Sequence, residues 1–162
     1  MNDDRFIQRD RMRFIRNSTS ANLCYLGILF NVFYFVNLYQ SDVGTYYYQI
    51  FIGASIVYNL LFLLIVFLAS EAVKNYVQSY SYLLAAIGAM QVVRIFYIPM
   101  KAHATMTAVN GVDVPVMGDG QFYLLSAFLL ISAACLLVSA AVNLNKCREL
   151  AEHMKTLELQ KA

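Results

Sequence analysis

Three polar side chains that could act together lie in the third of four long apolar stretches. Gln91, Arg94 and Tyr97 are spaced three residues apart, so a helix would bring an amide, a guanidinium and a phenol to one face. A charged side chain at the centre of a membrane costs about 2.5–3.5 kcal/mol on insertion scales, and it usually faces a bundle interior, a partner or water. This stripe could therefore bind an anionic group or seal a helix interface.

The sequence leaves three roles open for Arg94. On a helix that runs outward to Pro99, its Cα would lie roughly 7–8 Å beneath that end, so its long stem could carry the guanidinium to the outer headgroups. It could instead form a hydrogen bond or an ion pair within the bundle, with Asn31 or Asp42. In the third role it contacts a substrate.

Residue types that commonly carry catalysis or bind metals are scattered along the chain. Cys24, Cys135 and Cys147 form no Cys-x-x-Cys pair, so no disulfide framework is expected. His103 and His153 should lie on opposite sides of the membrane, which excludes a multi-histidine metal site within one chain. Phosphate-binding glycine loops and the common hydrolase motifs are absent. We expect a protein that is not an enzyme, with no catalytic, cofactor-binding or metal-binding residues.

Four apolar stretches must position these residues, and each is close to the roughly 20 residues that cross a bilayer as a helix. They cover about residues 21–39, 48–69, 80–100 and 122–144. Lipid cannot satisfy backbone amides, so helices or a closed barrel are required, and the continuous apolar runs lack the alternation of a barrel. The sequence predicts an all-α integral membrane protein with a four-helix transmembrane bundle.

Basic residues are concentrated on one side of the predicted spans and set the expected orientation. The residues on that side are Arg5, Arg9, Arg11, Arg13, Arg16, Lys74, Lys146, Arg148, Lys155 and Lys161. The positive-inside rule then places both termini in the cytoplasm. Short loops, and the absence of glycosylation acceptors from the outer ones, favour the plasma (inner) membrane of a bacterium.

Residues 1–20 form a basic segment that precedes the first span. Its bulky apolar residues and five arginines predict an interfacial helix at anionic headgroups, so membrane lipids are expected partners and nucleic acid is not.

The first apolar stretch is longer than a usual signal-peptide core and lacks a persuasive cleavage site, so we expect it to be retained as a span.

Small residues recur at a spacing that indicates close helix packing. Ser81, Ala85 and Ala89 follow one another every four residues in the third span, and Cys135 and Ser139 do so in the fourth. Such small-xxx-small rows let helix backbones approach each other. Packing within one chain is the favoured interpretation, and packing against another subunit stays open.

The connection at residues 101–121 is the one sizeable outer loop. It contains Asn110 and Gly111 between β-branched residues, which is the strongest short-range signal for a β-hairpin. The sequence therefore predicts a small external hairpin between the third and fourth spans. Its exposed valines could lean on the bundle or dock a partner.

Residues 145–162 are predicted to extend the fourth span as a cytoplasmic amphipathic helix. Leu150, Met154 and Leu157 follow one another at spacings of four and three, and charged residues fill the other positions. An apolar strip of this kind needs an apolar partner. Either the membrane surface or another subunit could provide it.

These features favour a non-catalytic accessory or structural subunit of a larger membrane complex, such as a transporter or translocase. Membrane protein subunits are then the expected partners, with a hetero-complex favoured over a homo-oligomer. An alternative is a small homo-oligomeric channel or carrier that uses Arg94 and Gln91 to pass a neutral or anionic solute. A third hypothesis is an integral membrane enzyme that acts on lipid.

Overall fold

The computed structural model describes residues 15–39, 49–109 and 112–161. Four long apolar helices, each long enough to cross a membrane, pack as a bundle, which confirms the predicted all-α architecture. The elements are α1 (Ser18–Tyr39), α2 (Gln49–Lys74), α3 (Ser79–Tyr97), α4 (Pro99–Ala104), β1 (Met106–Val109), β2 (Val112–Pro115) and α5 (Asp119–Lys161).

The bundle has two ends that differ in chemistry. At the basic end α1 begins, α2 ends and α3 begins, while α4, the two strands and the beginning of α5 form the hairpin end. Thus α1 and α3 run toward the hairpin end, and α2 and α5 run back. Helix α5 packs against both α1 and α3, and α1 also packs against α2.

At the basic end, α2 stops in a Schellman motif that has tyrosine where glycine is usual. Tyr76 adopts a left-handed backbone conformation with φ of 59°. Its amide donates to the Val73 carbonyl at 3.2 Å, and the amide of Val77 donates to Ala72 at 3.1 Å. These bonds satisfy carbonyls that the end of the helix would otherwise leave without partners.

Two glycines allow α5 to lie close to its neighbours. A Cβ placed on Gly27 of α1 would come within 3.1 Å of the Leu136 side chain. One placed on Gly88 of α3 would come within 3.0 Å of Leu137 and 3.3 Å of the Ala133 carbonyl oxygen. Helix α5 therefore lies close to the backbones of α1 and α3 at these two glycines.

The small-residue row predicted in α3 lies only partly at this interface. Ser81 is buried, Ala85 is half-buried and Ala89 is exposed. The reason is geometric: at 3.6 residues per turn, each step of four residues rotates by about 40°. The buried face instead follows steps of three, four, three and three residues, through Ser81, Leu84, Gly88, Gln91 and Arg94.

Apolar side chains fill the bundle in two layers. The layer toward the basic end contains Cys24, Phe62, Val66, Ala69, Val73, Leu84, Leu136 and Ala140. The layer at the hairpin end contains Tyr34, Leu38, Ala102, Met117, Leu125 and Leu129. Met117 is fully buried, so the segment that precedes α5 closes this end of the bundle.

The predicted β-hairpin is present. Strands β1 and β2 pair antiparallel, with Val109 opposite Val112 and Met106 opposite Pro115. Asn110 and Gly111, on which the prediction rested, lie outside the described residues. The sequence interpretation missed α4, although Pro99 occupies its first turn, where the missing N–H of proline costs nothing.

Helix α5 continues well past the rest of the bundle, as predicted. It has 43 residues, which corresponds to about 64 Å at 1.5 Å per residue, roughly twice the thickness of a bilayer's hydrocarbon core. From Arg148 to Leu159 every residue is exposed or half-buried. We call the part from Arg148 to Lys161 the α5 extension.

Candidate functional site

The most concentrated polar site lies inside the bundle and is centred on Arg94. This side chain is only 8% exposed. Its Nη1 donates to Asn31 Oδ1 at 3.0 Å and to Gln91 Oε1 at 2.9 Å, and its Nη2 donates to Asn59 Oδ1 at 3.1 Å. One guanidinium thus joins α1, α2 and α3.

The amide groups around Arg94 also bond to one another. Gln91 Nε2 donates to Asn31 Oδ1 at 3.1 Å, and Asn31 Nδ2 donates to Asn59 Oδ1 at 3.2 Å. Asn59 Nδ2 donates to the Ser55 carbonyl at 2.8 Å. Because buried polar groups are costly unless they are hydrogen-bonded, this mutual pairing lets polar side chains stay within an apolar bundle.

Aromatic rings lie next to the guanidinium. Its Cζ is 4.8 Å from the centroid of the Tyr34 ring and 4.4 Å from that of Tyr58. At these distances the negative faces of the rings attract the cation, and the attraction is stronger when water is excluded. Tyr34 of α1 and Tyr58 of α2 therefore stabilise the charge of Arg94.

The geometry agrees with the second of the three roles considered for Arg94, a hydrogen bond within the bundle to Asn31. Asp42, the other partner considered, lies outside the described residues. Tyr97 is placed apart from this group: it is 52% exposed, and its ring lies 4.7 Å from Lys101 Nζ. Two steps of three residues from Gln91 to Tyr97 turn a helix by about 120° from the starting face.

Sequence reasoning missed Asn59, Tyr34 and Tyr58 as members of this site. A signal existed for Asn59, because it is an amide in the interior of an otherwise apolar span, where polar side chains commonly bond to other helices. For the tyrosines no local signal existed. Aromatic residues occur throughout the spans, and only the rotation of each helix brings these two toward Arg94.

A second polar cluster joins the helices at the basic end, around Asn143 of α5. Its Nδ2 donates to Ser81 Oγ at 2.7 Å and to the Val77 carbonyl at 3.2 Å. Its Oδ1 accepts from Asn17 Nδ2 at 2.9 Å. Asn17 in turn donates its backbone N–H to the Lys74 carbonyl at 2.9 Å. This cluster ties the start of α1 and the α2–α3 connection to α5.

Reciprocal hydroxyl bonds fasten α1 to α5 next to this cluster. Ser139 Oγ donates to the Ser20 carbonyl at 2.8 Å, and Ser20 Oγ donates to the Ser139 carbonyl at 3.0 Å. Cys24 Sγ lies 3.2 Å from Ser139 Oγ. Ser139, which was predicted as a packing residue, thus both packs against α1 and forms hydrogen bonds with it. Cys135, the other packing residue predicted in this helix, is also buried.

The α2–α3 connection receives one further contact from α5. Cys147 Sγ donates to the Tyr76 carbonyl at 3.2 Å. Burial raises the pKa of the Tyr76 phenol above its ordinary value, and the nearby Cys147 and Glu149 act in the same direction. The phenol therefore stays neutral at physiological pH. All three cysteines are free thiols.

Three of the remaining predicted site residues lie on the α5 extension. Leu150 is half-buried, whereas Met154 is 52% and Leu157 is 41% exposed. These three residues lie on one face of the helix, and we call them the extension stripe. Asn110 and Gly111 are outside the described residues. Within the described ranges, no three His, Cys, Asp or Glu side chains come together as a metal site would require.

The fold and its polar clusters define a multi-pass bundle of four apolar helices that is held together by interior hydrogen bonds. Comparison of the chain with protein-family models, with curated proteins and with solved structures finds no match.

Proposed function

We propose that this protein is a non-catalytic subunit of a larger membrane complex, such as a transporter or translocase, and that it contacts its partner through the α5 extension. The observation that carries the proposal is the extension stripe. Met154 and Leu157 are about half exposed on a helix that continues beyond the bundle. Exposed apolar side chains that share one face of a helix are typical of a surface that binds another helix.

The interior of the bundle supports a structural role. Among the described residues Arg94 is the one buried side chain that carries a charge. The amides of Asn31, Asn59 and Gln91 contact it and one another. These contacts use the polar groups to hold helices together, which favours a rigid membrane anchor over a solute pathway within one chain.

The distribution of charge supports a cytoplasmic position for the extension. In the described ranges the basic end carries Arg16, Lys74 and Lys146, and further basic residues follow on the extension, whereas the hairpin end combines Lys101 with Asp113 and Asp119. The positive-inside rule then favours a plasma-membrane protein whose termini and extension stripe face the cytoplasm.

The direction of α5 favours a protein partner over the membrane surface. The helix is uninterrupted from Asp119 to Lys161, so the extension leaves the bundle along the axis of a membrane-spanning helix. An interfacial helix has to lie in the plane of the headgroups to bury its apolar face. A helix that projects from the bilayer presents its apolar stripe to another protein.

The test is affinity purification from the native host in a mild detergent, with mass spectrometry of proteins that remain bound at fixed stoichiometry. Changing Leu150 and Met154 together to Glu should remove the partner. The matched control is Leu159→Glu, because Leu159 is 78% exposed and lies about 180° around the helix from Leu150. Recovery of the wild-type protein alone, or equal loss of the partner in both variants, would contradict the proposal.

The polar site around Arg94 supports a second candidate function, a small homo-oligomeric channel or carrier for a neutral or anionic solute. A cation that lies within a membrane bundle is a common element of solute pathways. In this case purified protein in liposomes should conduct a solute, and Arg94→Gln should change the flux. A flux that does not depend on residue 94 would remove Arg94 from this candidate.

A further inference from the structure

A histidine holds the hairpin end of the bundle together. His103 lies in α4, and its Nδ1 is 3.1 Å from the carbonyl oxygen of Met117. Its ring stacks on Phe122 of α5, with centroids 4.8 Å apart and planes inclined by 21°. Its Nε2 lies 3.7 Å from Asp119 Oδ1 at the start of α5. One side chain thus contacts the segment that closes the bundle and the helix that follows it.

The Met117 carbonyl determines where the neutral imidazole carries its proton. A carbonyl oxygen can only accept, so Nδ1 has to be the donor. In the neutral ring Nε2 then has a lone pair, and Nε2 lies 3.7 Å from Oδ1 of the Asp119 carboxylate. Two hydrogen-bond acceptors that face each other form no hydrogen bond. A proton on Nε2 would convert this contact into an ion pair.

Protonation adds a bond at His103 without removing one. In the imidazolium both nitrogens are donors, so the Nδ1 bond to Met117 is kept while Nε2–H binds Asp119. The neighbouring elements also carry Lys101, Asp113 and Tyr123. The ammonium of Lys101 lies over the Tyr97 ring, and Tyr123 packs edge-on against Phe122. Asp119 is the charged group that the described contacts place against His103.

We propose that His103 is a proton-operated latch for the hairpin end. When the imidazole takes up a proton, the ion pair with Asp119 fastens α4 more tightly to the start of α5. The fully buried Met117 is held in place by the same ring. The latch is tight when the imidazole carries the additional proton and loosens when the imidazole loses that proton.

The first test is an NMR titration of the full chain in detergent micelles with labelled histidine. The chain contains two histidines, so a His153→Gln variant assigns both signals. The neutral ring of His103 should be the Nδ1–H tautomer. Asp119→Asn should lower its titration midpoint by about 0.2–0.7 pH unit, the range expected for an exposed ion pair. Asp113→Asn, which removes a carboxylate from the same end, should leave the midpoint in place.

The second test measures whether the proton tightens the structure. Hydrogen exchange of the α4 amides and of Val116, corrected for the intrinsic dependence on pH, should be about two- to fivefold slower at pH 5 than at pH 8. His103→Gln should remove this difference, since a glutamine amide can bond to Met117 but takes up no proton. A neutral Nε2–H tautomer, equal midpoints for the wild-type protein and Asp119→Asn, or protection that does not depend on pH would each overturn the proposal.

Discussion

Replacing Arg94 should loosen the bundle more than any other single change to a polar side chain. The residue donates one hydrogen bond to α1, through Asn31, and one to α2, through Asn59. Hydrogen bonds between transmembrane helices contribute about 0.6–1.7 kcal/mol each. Its contacts with the Tyr34 and Tyr58 rings add about 0.5–2 kcal/mol. The sum is about 2–5 kcal/mol.

The cost of placing the Arg94 charge in the membrane changes the sum of about 2–5 kcal/mol only a little. Separated helices that remain in the bilayer would still contain Arg94, so the cost of desolvation is present before and after assembly. We therefore expect Arg94→Leu to lower the free energy of unfolding by about 2–5 kcal/mol. Arg94→Lys should lose roughly half as much, because one ammonium lacks the planar fork that reaches two acceptors at once.

A double-mutant cycle tests the structural explanation directly. Unfolding in mixed micelles with increasing SDS can be followed by near-ultraviolet circular dichroism of the twelve tyrosines. Arg94→Leu and Asn59→Ala should show a coupling energy of about 0.5–2 kcal/mol, because residues that share a hydrogen-bond network are not additive. Arg94→Leu and Asn143→Ala act on separate clusters and should be additive.

Either of two results would contradict the predicted role of Arg94. One is an unfolding free energy of Arg94→Leu within about 0.5 kcal/mol of the wild-type value, which is the size of an ordinary surface substitution. The other is a coupling of Arg94 to Asn59 no larger than its coupling to Asn143. Either result would mean that the buried guanidinium does not hold the three helices together.

Two further predictions concern the packing of α5. Gly88→Ala should destabilise the bundle by about 1–3 kcal/mol through overpacking, because its new Cβ would meet Leu137 at 3.0 Å. The control is Gly53→Ala, whose Cβ would have nothing within 4 Å and which should be neutral in the same unfolding assay. Equal effects of the two substitutions would argue against close packing. Asn143→Ala should lower the free energy of unfolding by about 1–3 kcal/mol, because it leaves buried polar groups without hydrogen-bond partners. Asn37→Ala, which loses a hydrogen bond within its own helix, should lower it less. The reverse order would contradict the role of the basic-end cluster.

The architecture could be predicted from the sequence because it depends on properties that are local. The length and continuity of an apolar stretch determine whether a helix can span a bilayer. The Asn-Gly pair predicted the hairpin, and the spacing of Leu150, Met154 and Leu157 predicted the helical extension of α5. Pro99 was an equally local signal for α4, and the interpretation of residues 101–121 as a loop overlooked it.

The composition of the polar site could be predicted only in part, because it depends on which helices are neighbours and how each is rotated. The sequence indicates Arg94, Gln91 and Asn31, because each is a polar residue within an apolar span. Asn59 contacts these residues because α2 packs against α1. The lengths of the spans do not indicate which helices are neighbours. Tyr97 and Ala89 were misplaced for a related reason, since constant steps of three or four residues drift away from a helix face.

Helix α5 connects the two parts of the molecule to which the proposals assign roles. Its first residue, Asp119, contacts His103, and its last turns carry the extension stripe. Over about 64 Å of uninterrupted helix, a tilt of about 5° at the hairpin end would displace the far end by about 6 Å. A change in how α5 is seated at the hairpin end would therefore displace Leu157, near the other end of the helix, without any helix having to unfold.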